Sequence, residues 1–455
     1  MDIPRHIFKA YDIRGLVDQE ITPDLAQQIG KAFAKLLKAE LPDKDLVVAV
    51  GRDMRESSPV YQEKLIKGLT ESGIKVKDIG LVSTPAFYFG VSHTQADGGV
   101  MVSASHNPAE YNGFKLTRAR AVPVSGDTGI QTLADLIEAE DYLESDQMGE
   151  VETVEGIPEL AVVFEMEFAG SDPISNFKIV ADSSNGMGAQ YLDLFFEKVE
   201  ADLTRMYWEL DGTFPNHEAD PLKEENIEDL KAKVKETGAD LGIITDGDGD
   251  RIFFVDDQGE VMPPHILRGL IAQIVLRSYP GATIGYDIRP GQITEDMIVE
   301  AGGKPVVTRV GHSLIKEKMM ETDAIFGGES SGHFFFKFPT GVYEGPVTVT
   351  TMLLQELTRQ NISLSALVAP LKRYFHSGEV NFEVQDKTAA MESLKEKYSE
   401  GELIDIDGIT IKYPDFWFNV RPSNTESLLR LNLEAKTQEI MEQKRDEISQ
   451  FIQSQ

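Results

Sequence analysis

"ADGGVMVSASH" (Ala96–His106), "ADLGIITDGDG" (Ala239–Gly249) and "TDAIFGGESSG" (Thr322–Gly332) share one pattern. In each, an aspartate (Asp97, Asp240, Asp323) opens an apolar strand, and eight residues later a polar residue (Ser105, Asp248, Ser331) stands in the loop beyond it. Upstream of each lies a second matching unit: "AVGRDMRESS", "IVADSSNGMG" and "IGYDIRPGQI", which run apolar into Asp53, Asp182 and Asp287 and then turn. Three matches in the same order with equal spacing imply three copies of one α/β domain. Between the strands the pattern turns helical, with Val60, Leu65, Ile66 and Leu69 on one face after Val47–Val50, and a helix around Tyr191–Val199 after Ile179–Ala181. Such alternation predicts mixed, largely parallel sheets. Ligands in open α/β sheets bind outside the carboxyl ends of the strands, so three equivalent strand ends are expected to serve one central cleft.

Beyond about Pro370 the rhythm breaks into "VNFEV", "IDGITIKY" and "LLRLNLEA" flanking helical stretches, which predicts a smaller α+β C-terminal domain. The expected domains are 1–150, 151–254, 255–369 and 370–455. The acidic stretch Glu138–Glu155 reads as the first linker or as a solvated helix. The 455 residues carry 41% hydrophobic and 26% charged side chains, the composition of a globular protein. No apolar run approaches the ~18 residues of a membrane helix, and the first residues lack a signal pattern, so a cytoplasmic protein is expected. The absence of cysteine excludes disulfides, thiolate metal sites and cysteine nucleophiles. A net charge of −32 argues against nucleic acid and anionic membranes as partners.

The loops carry the chemistry. In "TDGDGDR", Thr245–Arg251, Asp246, Asp248 and Asp250 can turn their carboxylates toward one hard cation, as Mg²⁺ requires, or form an Asp-Gly-rich hairpin turn. A calcium EF-hand is excluded, because counting from Asp246 places Arg251 where glycine is required and Asp257 where glutamate is expected. "RPSNTES", Arg421–Ser427, reads as an anion cradle or a plain turn, with Arg421 able to grip a phosphate bidentately and Ser423 and Thr425 supplying donors. "GGESSGH" offers Glu329, Ser331 and His333 on glycine hinges, for sugar hydroxyls or as a polar turn. "GHSLIK" reads as a helix start with Ser313 near the cap, and "YDIRG" places Arg14 before a tight turn. Ser105 lacks the G-x-S-x-G elbow of a serine hydrolase. A serine facing a divalent cation points instead to phosphoryl chemistry.

From "FKAYDIRG" to "RPSNTE", essentially the whole chain resembles the α-D-phosphohexomutase family, in its phosphomannomutase/phosphoglucomutase branch. The resemblance implies a phosphoserine at Ser105, and Asp246, Asp248 and Asp250 as Mg²⁺ ligands with the Ser105 phosphate completing the shell. It implies Arg251 as a contact to phosphoserine or substrate, and Glu329 and Ser331 on sugar O3 and O4. Arg421, Ser423, Asn424 and Thr425 would hold the phosphate that is not being transferred. Lys115, His106 and His333 fall at the family's general acid/base positions. Arg14, Tyr11, Arg289 and His312 match further phosphate and substrate contacts. The implied activity is interconversion of hexose 1-phosphate and 6-phosphate, of mannose and/or glucose, with glucose or mannose 1,6-bisphosphate as intermediate and activator, by a monomer or homodimer. The competing readings are a phosphoglucosamine mutase, a Mg²⁺-dependent sugar phosphatase and a sugar-phosphate binding protein. Two departures from the family pattern are Tyr343-Glu344-Gly345 beyond the sugar loop and Ser427 after Glu426.

Overall fold

The computed structural model describes residues 3–289, 291–384, 386–422 and 428–454. The chain divides into two compact units, 1–262 with 331–365, and 263–330 with 366–455.

The first unit begins with strands β1 (Ile13–Leu16), β2 (Val47–Arg52), β3 (Lys75–Leu81), β4 (Gly98–Val102), β5 (Tyr111–Arg118) and β6 (Val151–Thr153), in the order β1-β5-β4-β2-β3-β6. The centre, β4-β2-β3-β6, is parallel; β5 returns antiparallel to β4 and brings β1 in behind it. The helix Ser58–Glu71 presents Tyr61, Leu65, Gly68 and Leu69 inward, spaced as one helical stripe. Val60 lies one position off that stripe and is 46% exposed, which corrects its expected place on the apolar face. This helix lies against Pro23–Glu40 at close backbone range. A Cβ on Gly30 would meet the Leu65 carbonyl at 2.4 Å, and one on Gly68 the Gln27 carbonyl at 2.0 Å. Phe33, Leu37, Val48, Val50, Val100, Val102 and Phe114 fill the core between; burial of each large side chain contributes ~1.5–3 kcal/mol.

Strands β7 (Phe177–Asp182), β8 (Ala201–Met206), β9 (Leu241–Thr245) and β10 (Ile252–Asp256) form the next sheet, β10-β9-β7-β8, parallel except for the β9–β10 hairpin. The helix after β7 runs Gly188–Phe196, three residues ahead of the expected Tyr191–Val199 at both ends.

In the second unit β11 (Thr283–Asp287), β12 (Lys304–Thr308) and β13 (Phe326–Gly328) are parallel, with β11 between the other two. The chain then re-enters the first unit with the hairpin β14 (Phe334–Phe338) and β15 (Gly341–Glu344) and the helix Pro346–Gln360. Back in the second unit, β16 (Phe375–Glu383), β17 (Glu402–Ile404), β18 (Ile409–Lys412), β19 (Phe416–Pro422) and β20 (Leu428–Ala435) form an antiparallel sheet, β16-β20-β19-β18-β17. Its core includes Phe382, Leu394, Phe418, Leu431 and Ile448. Three α/β domains with mixed sheets and a smaller α+β domain are therefore present.

The repeat is visible in backbone hydrogen bonds. The amides of Ala96, Ala239 and Ala324 each donate to the carbonyl five residues back (Val91, Val234, Met319), closing the preceding helix in the same way three times. Asp97 then accepts from Val47 N–H at 3.0 Å and Asp240 from Lys178 N–H at 2.7 Å, tying the entering strand to its neighbour. The third copy differs. Its register pairs Ile284 with Phe326, where the others pair Val48 with Gly98 and Ile179 with Leu241. Ile325 thus holds the place of Asp97 and Asp240. Asp323 instead corresponds to Gln95 and Gly238, and all three have positive φ (56°, 56° and 63°) at the helix end. The equal spacing of aspartates is coincidental in that copy.

Candidate functional site

In the first unit, the loop beyond β4 carries Ser105, buried, with φ of 53°. That left-handed conformation is costly for a side-chain-bearing residue and persists only where surroundings hold it. Here they do. Ser105 N–H donates to Ser103 Oγ at 3.0 Å, and its carbonyl accepts from Arg55 Nη2 at 2.8 Å. Arg55 is 1% exposed and also donates to the carbonyls of Asn107, Pro108 and Tyr111, so one guanidinium clamps four carbonyls from Ser105 to the start of β5. The opposing Gly247 is required, because a Cβ there would stand 2.5 Å from the Ser105 carbonyl oxygen.

Ser105 Oγ donates to Asp246 Oδ2 at 3.1 Å and lies 3.2 Å from His106 Nδ1. Asp246, Asp248 and Asp250 follow β9, all buried, each offering a carboxylate oxygen to a group within 4.8 Å. Asp246 Oδ1 accepts from Arg251 N–H at 3.1 Å. Asp248 Oδ2 accepts from Thr84 Oγ1 at 2.7 Å and from Lys115 Nζ at 2.6 Å, and Lys115 reaches Asp250 Oδ2 at 2.6 Å as well. Asp248 Oδ1 is buried with no hydrogen-bond partner among the described residues. A hard divalent cation fits this set, with three carboxylates on one loop and the buried Asp248 Oδ1 unsatisfied.

Burial, then Asp250 and Asp248, push the Asp246 carboxyl well above the usual carboxylate range. Burial acts on Asp250 likewise, but Lys115, His333 and Arg251 outweigh it and hold that carboxyl well below. Lys115 is stabilised as the ammonium: its desolvation is more than offset by Asp248 and Asp250. Burial, with Arg251 and Arg14 nearby, drives His106 well below the ordinary histidine range, leaving a neutral imidazole at neutral pH. His333 Nε2 stands 3.1 Å from Asp250 Oδ1, and its Nδ1 is 2.9 Å from Ser331 Oγ. Arg14 pairs with Asp12 at 2.6 Å and donates to Asn107 Oδ1 at 2.8 Å. Arg251 pairs with Asp220 at 3.2 Å. Tyr11 lies half-buried in the bend before β1.

The second unit gathers a separate set. Arg289, two residues past Asp287, donates through Nε to Asp287 Oδ2 at 2.6 Å and through Nη2 to Glu329 Oε1 at 3.0 Å. Glu329 also accepts from Gly311 N–H at 3.1 Å, fixing the start of the helix His312–Thr322, where His312 is the first residue. Ser313 lies within this helix, and its expected capping bond is absent, the N-cap being Gly311. Arg421, on β19, is buried and donates to Glu379 Oε2 at 2.9 Å, while Arg430 Nη1 stands 3.1 Å from Glu379 Oε1. Ser423, Asn424 and Thr425 lie outside the described residues.

Four family models match in sequence: phosphoglucomutase/phosphomannomutase alpha/beta/alpha domains I (5–144), II (161–259) and III (263–374), and the C-terminal domain (379–450). The chain belongs to the phosphoglucomutase/phosphomannomutase family. It is 39% identical to a protein named for phosphohexose mutases from Xanthomonas campestris pv. campestris (strain B100), covering 98% of both chains. It is 37% identical to the phosphomannomutase/phosphoglucomutase of Pseudomonas aeruginosa PAO1, covering 97% of this chain and 94% of that one. The crystal structure of a phosphoglucomutase/phosphomannomutase family protein from Burkholderia thailandensis superposes with a TM-score of 0.88 at 32% identity, covering 100% of this chain and 98% of that one. The chain is accordingly an intramolecular phosphotransferase of the phosphoglucomutase/phosphomannomutase family.

Sequence reasoning overlooked Arg55 and Glu379. Arg55 carried a signal: Asp12-x-Arg14, Asp53-x-Arg55 and Asp287-x-Arg289 share one spacing. In each the arginine Nε lies 2.7, 3.4 and 2.6 Å respectively from its aspartate Oδ2. Glu379 had none, because nothing in "SGEVNF" marks it as the partner of two arginines distant in sequence.

Proposed function

We propose that this enzyme interconverts hexose 1-phosphate and hexose 6-phosphate, of mannose and glucose, with Ser105 as phosphoryl carrier and a hexose 1,6-bisphosphate as intermediate. The observation that carries this reading is Ser105 Oγ, held in a strained backbone 3.1 Å from the first carboxylate of the aspartate trio. Asp246, Asp248 and Asp250 would hold Mg²⁺, with the Ser105 phosphate as a further ligand; that ion supplies charge neutralisation for the transferring phosphoryl group. The protein's own groups do the rest. Lys115 holds a positive charge against Asp248 and Asp250. His106, 3.2 Å from Ser105 Oγ, Lys115 and His333 are the acid/base candidates, and the burial and arginines that keep His106 neutral also oppose its protonation.

Phosphoryl transfer is loose and in line, so positioning and neutralisation supply most of the acceleration. Phosphorylated Ser105 would give its phosphoryl group to the free hydroxyl of the sugar phosphate, and the bisphosphate would return its other phosphate to Ser105. Glu329 and Ser331 would read O3 and O4, hydroxyls that serve both orientations of the sugar. Arg421, with Ser423, Asn424 and Thr425, would hold the idle phosphate. Arg14, Tyr11, Arg251, Arg289 and His312 would add phosphate and substrate contacts. We place four domains in the expected order, with the boundary expected after 150 moved beyond β6, which pairs with β3, and the one expected after 254 moved beyond β10, the third and fourth domains meeting near 370; the enzyme is placed in the cytoplasm as monomer or homodimer. Among the described residues no helix is long and apolar enough to cross a membrane.

Intact-mass measurement of the purified enzyme with a coupled assay on mannose 1-phosphate and glucose 1-phosphate tests this reading. The expected result is a phosphoryl adduct on Ser105 and formation of the 6-phosphates. Release of inorganic phosphate at the rate of substrate loss would instead indicate a phosphatase.

A further inference from the structure

Behind the sugar loop the second unit buries a cation that the reaction scheme leaves unused. Arg268, on the helix Pro264–Ser278, is 0% exposed, as is its partner Asp287. Its Nε donates to Thr294 Oγ1 at 2.7 Å, Nη2 to the Arg289 carbonyl at 3.2 Å, and Nη1 to Asp287 Oδ1 and, at 3.2 Å, to Ser330 Oγ. The guanidinium also lies over the Tyr286 ring, 5.3 Å from its centroid. Ser330, between Glu329 and Ser331, itself donates to Asp287 Oδ1 from Oγ at 2.9 Å and from N–H at 3.3 Å.

These contacts divide Asp287 between two duties. Oδ1 is occupied by Arg268 and Ser330, and Oδ2 by Arg289 Nε at 2.6 Å. Arg289 then reaches Glu329 through Nη2 at 3.0 Å. The order is Arg268, Asp287, Arg289, Glu329, with charges alternating along it. Without Arg268, Asp287 would bear undivided on Arg289 in addition to Glu329, and the sugar loop would lose the donor that fixes Ser330. With Arg268, the carboxylate is shared between two guanidinium groups and Arg289 keeps attraction for an anionic ligand. The Arg289 carbonyl is held by the same guanidinium, so the backbone carrying that cation is fixed as well.

We propose that Arg268 is a positioning residue for sugar-phosphate binding. It fixes the Asp287–Arg289–Glu329 chain and Ser330 of the sugar loop, and it keeps Arg289 available to a phosphate. The proposal rests on the reading of Glu329 as a sugar ligand and Arg289 as a phosphate contact. It predicts a loss in binding without a matching loss in chemistry, because Ser105 and its neighbours belong to the other unit.

The test uses the full-length enzyme and the variants Arg268→Met, Arg268→Lys, Ser330→Ala and Glu329→Gln, with glucose 1-phosphate as substrate and inorganic phosphate as competing ligand. For Arg268→Met, KM should rise by about 10- to 100-fold and inhibition by inorganic phosphate should weaken, while kcat changes less. The Ser105 phosphoryl adduct seen by intact mass should persist. Arg268→Lys keeps the charge but has no fork, so it should recover only part of the KM. Ser330→Ala strands no buried charge and should raise KM by a few-fold, which keeps the test open should Arg268→Met fail to fold. Glu329→Gln separates the two levels of inference. If it raises KM while folded Arg268→Met or, failing that, Ser330→Ala leaves KM and phosphate inhibition unchanged, the role of Arg268 is overturned. If Glu329→Gln also leaves KM unchanged, the sugar-site reading beneath it fails. A fall in kcat and in the Ser105 adduct at unchanged KM would likewise overturn the positioning role.

Discussion

Ser105 Oγ lies 3.1 Å from Asp246 Oδ2, and the two side chains arrive from separate sheets of one unit, Ser105 after β4 and Asp246 after β9. The hydroxyl is thereby fixed against the carboxylate that would share its cation. Ser105→Ala should lower turnover by ~10³-fold or more while circular dichroism stays native, as expected when the group carrying the covalent step is removed. Near-normal turnover in that variant would remove the carrier role.

Cation binding should register in stability as well as in rate. A ligand that binds only the folded state stabilises it by mass action, about 3 kcal/mol at a hundredfold excess over its Kd. Thermal melts with excess Mg²⁺ should sit above those with chelator, and Asp248→Asn should narrow the gap. Full turnover after exhaustive chelation is the result that would reduce the loop to a turn.

Arg421 is expected to affect binding more than chemistry. In the proposed scheme it would grip the phosphate that stays put, an interaction alike in ground and transition states. Arg421→Ala should raise KM by about 10- to 100-fold and change kcat less. An unchanged KM with kcat abolished would refute the cradle.

Glu165 gives a pH dependence remote from the reaction. Its buried carboxylate accepts from Thr348 N–H at 2.9 Å, at the start of the helix Pro346–Gln360, and burial pushes it up to about 8 despite that bond. A carboxyl raised in the fold stabilises it fully below its ordinary value of 4.5, and that stability is lost as pH rises through about 8. Glu165→Gln should remove this slope. The difference in unfolding free energy between variant and parent should grow in the variant's favour from pH 5 to pH 8.5, by an amount on the order of a few kcal/mol. A difference flat across that range in denaturant titrations would contradict the assignment.

Mannose and glucose phosphates differ at C2, whereas Glu329 and Ser331 are assigned to O3 and O4. Discrimination should therefore stay within about 1–3 kcal/mol. A kcat/KM ratio beyond about 10⁴ would require a residue reading the 2-hydroxyl. Glucosamine 1-phosphate should be turned over more slowly.

Much of this was written in the chain. The strands before Asp53, Asp182 and Asp287 were legible because parallel, doubly covered strands read as continuous apolar runs. The aspartate trio was legible as an acidic cluster because its three carboxylates fall within five consecutive residues. Asp323 misled because a letter match cannot distinguish a strand-opening carboxylate, as at Asp97, from a helix-ending residue at positive φ. Arg268 and Glu379 were illegible because their partners, Asp287 and Arg421, are brought to them only by tertiary packing.

Ile325 holds the place of Asp97 and Asp240, yet the third copy keeps the same helix closure and the same parallel pairing. From the strand start, Ser331 comes two residues sooner than Ser105 or Asp248. Loop length and strand register are thus decoupled in this architecture. The anchoring hydrogen bonds lie upstream of the loop, so insertion or deletion at its tip leaves the sheet in place. That is the condition under which a duplicated module can diverge into separate chemistries: the loop after β4 must change together with Arg55 and Gly247, which hold it, whereas the strand beneath it need not.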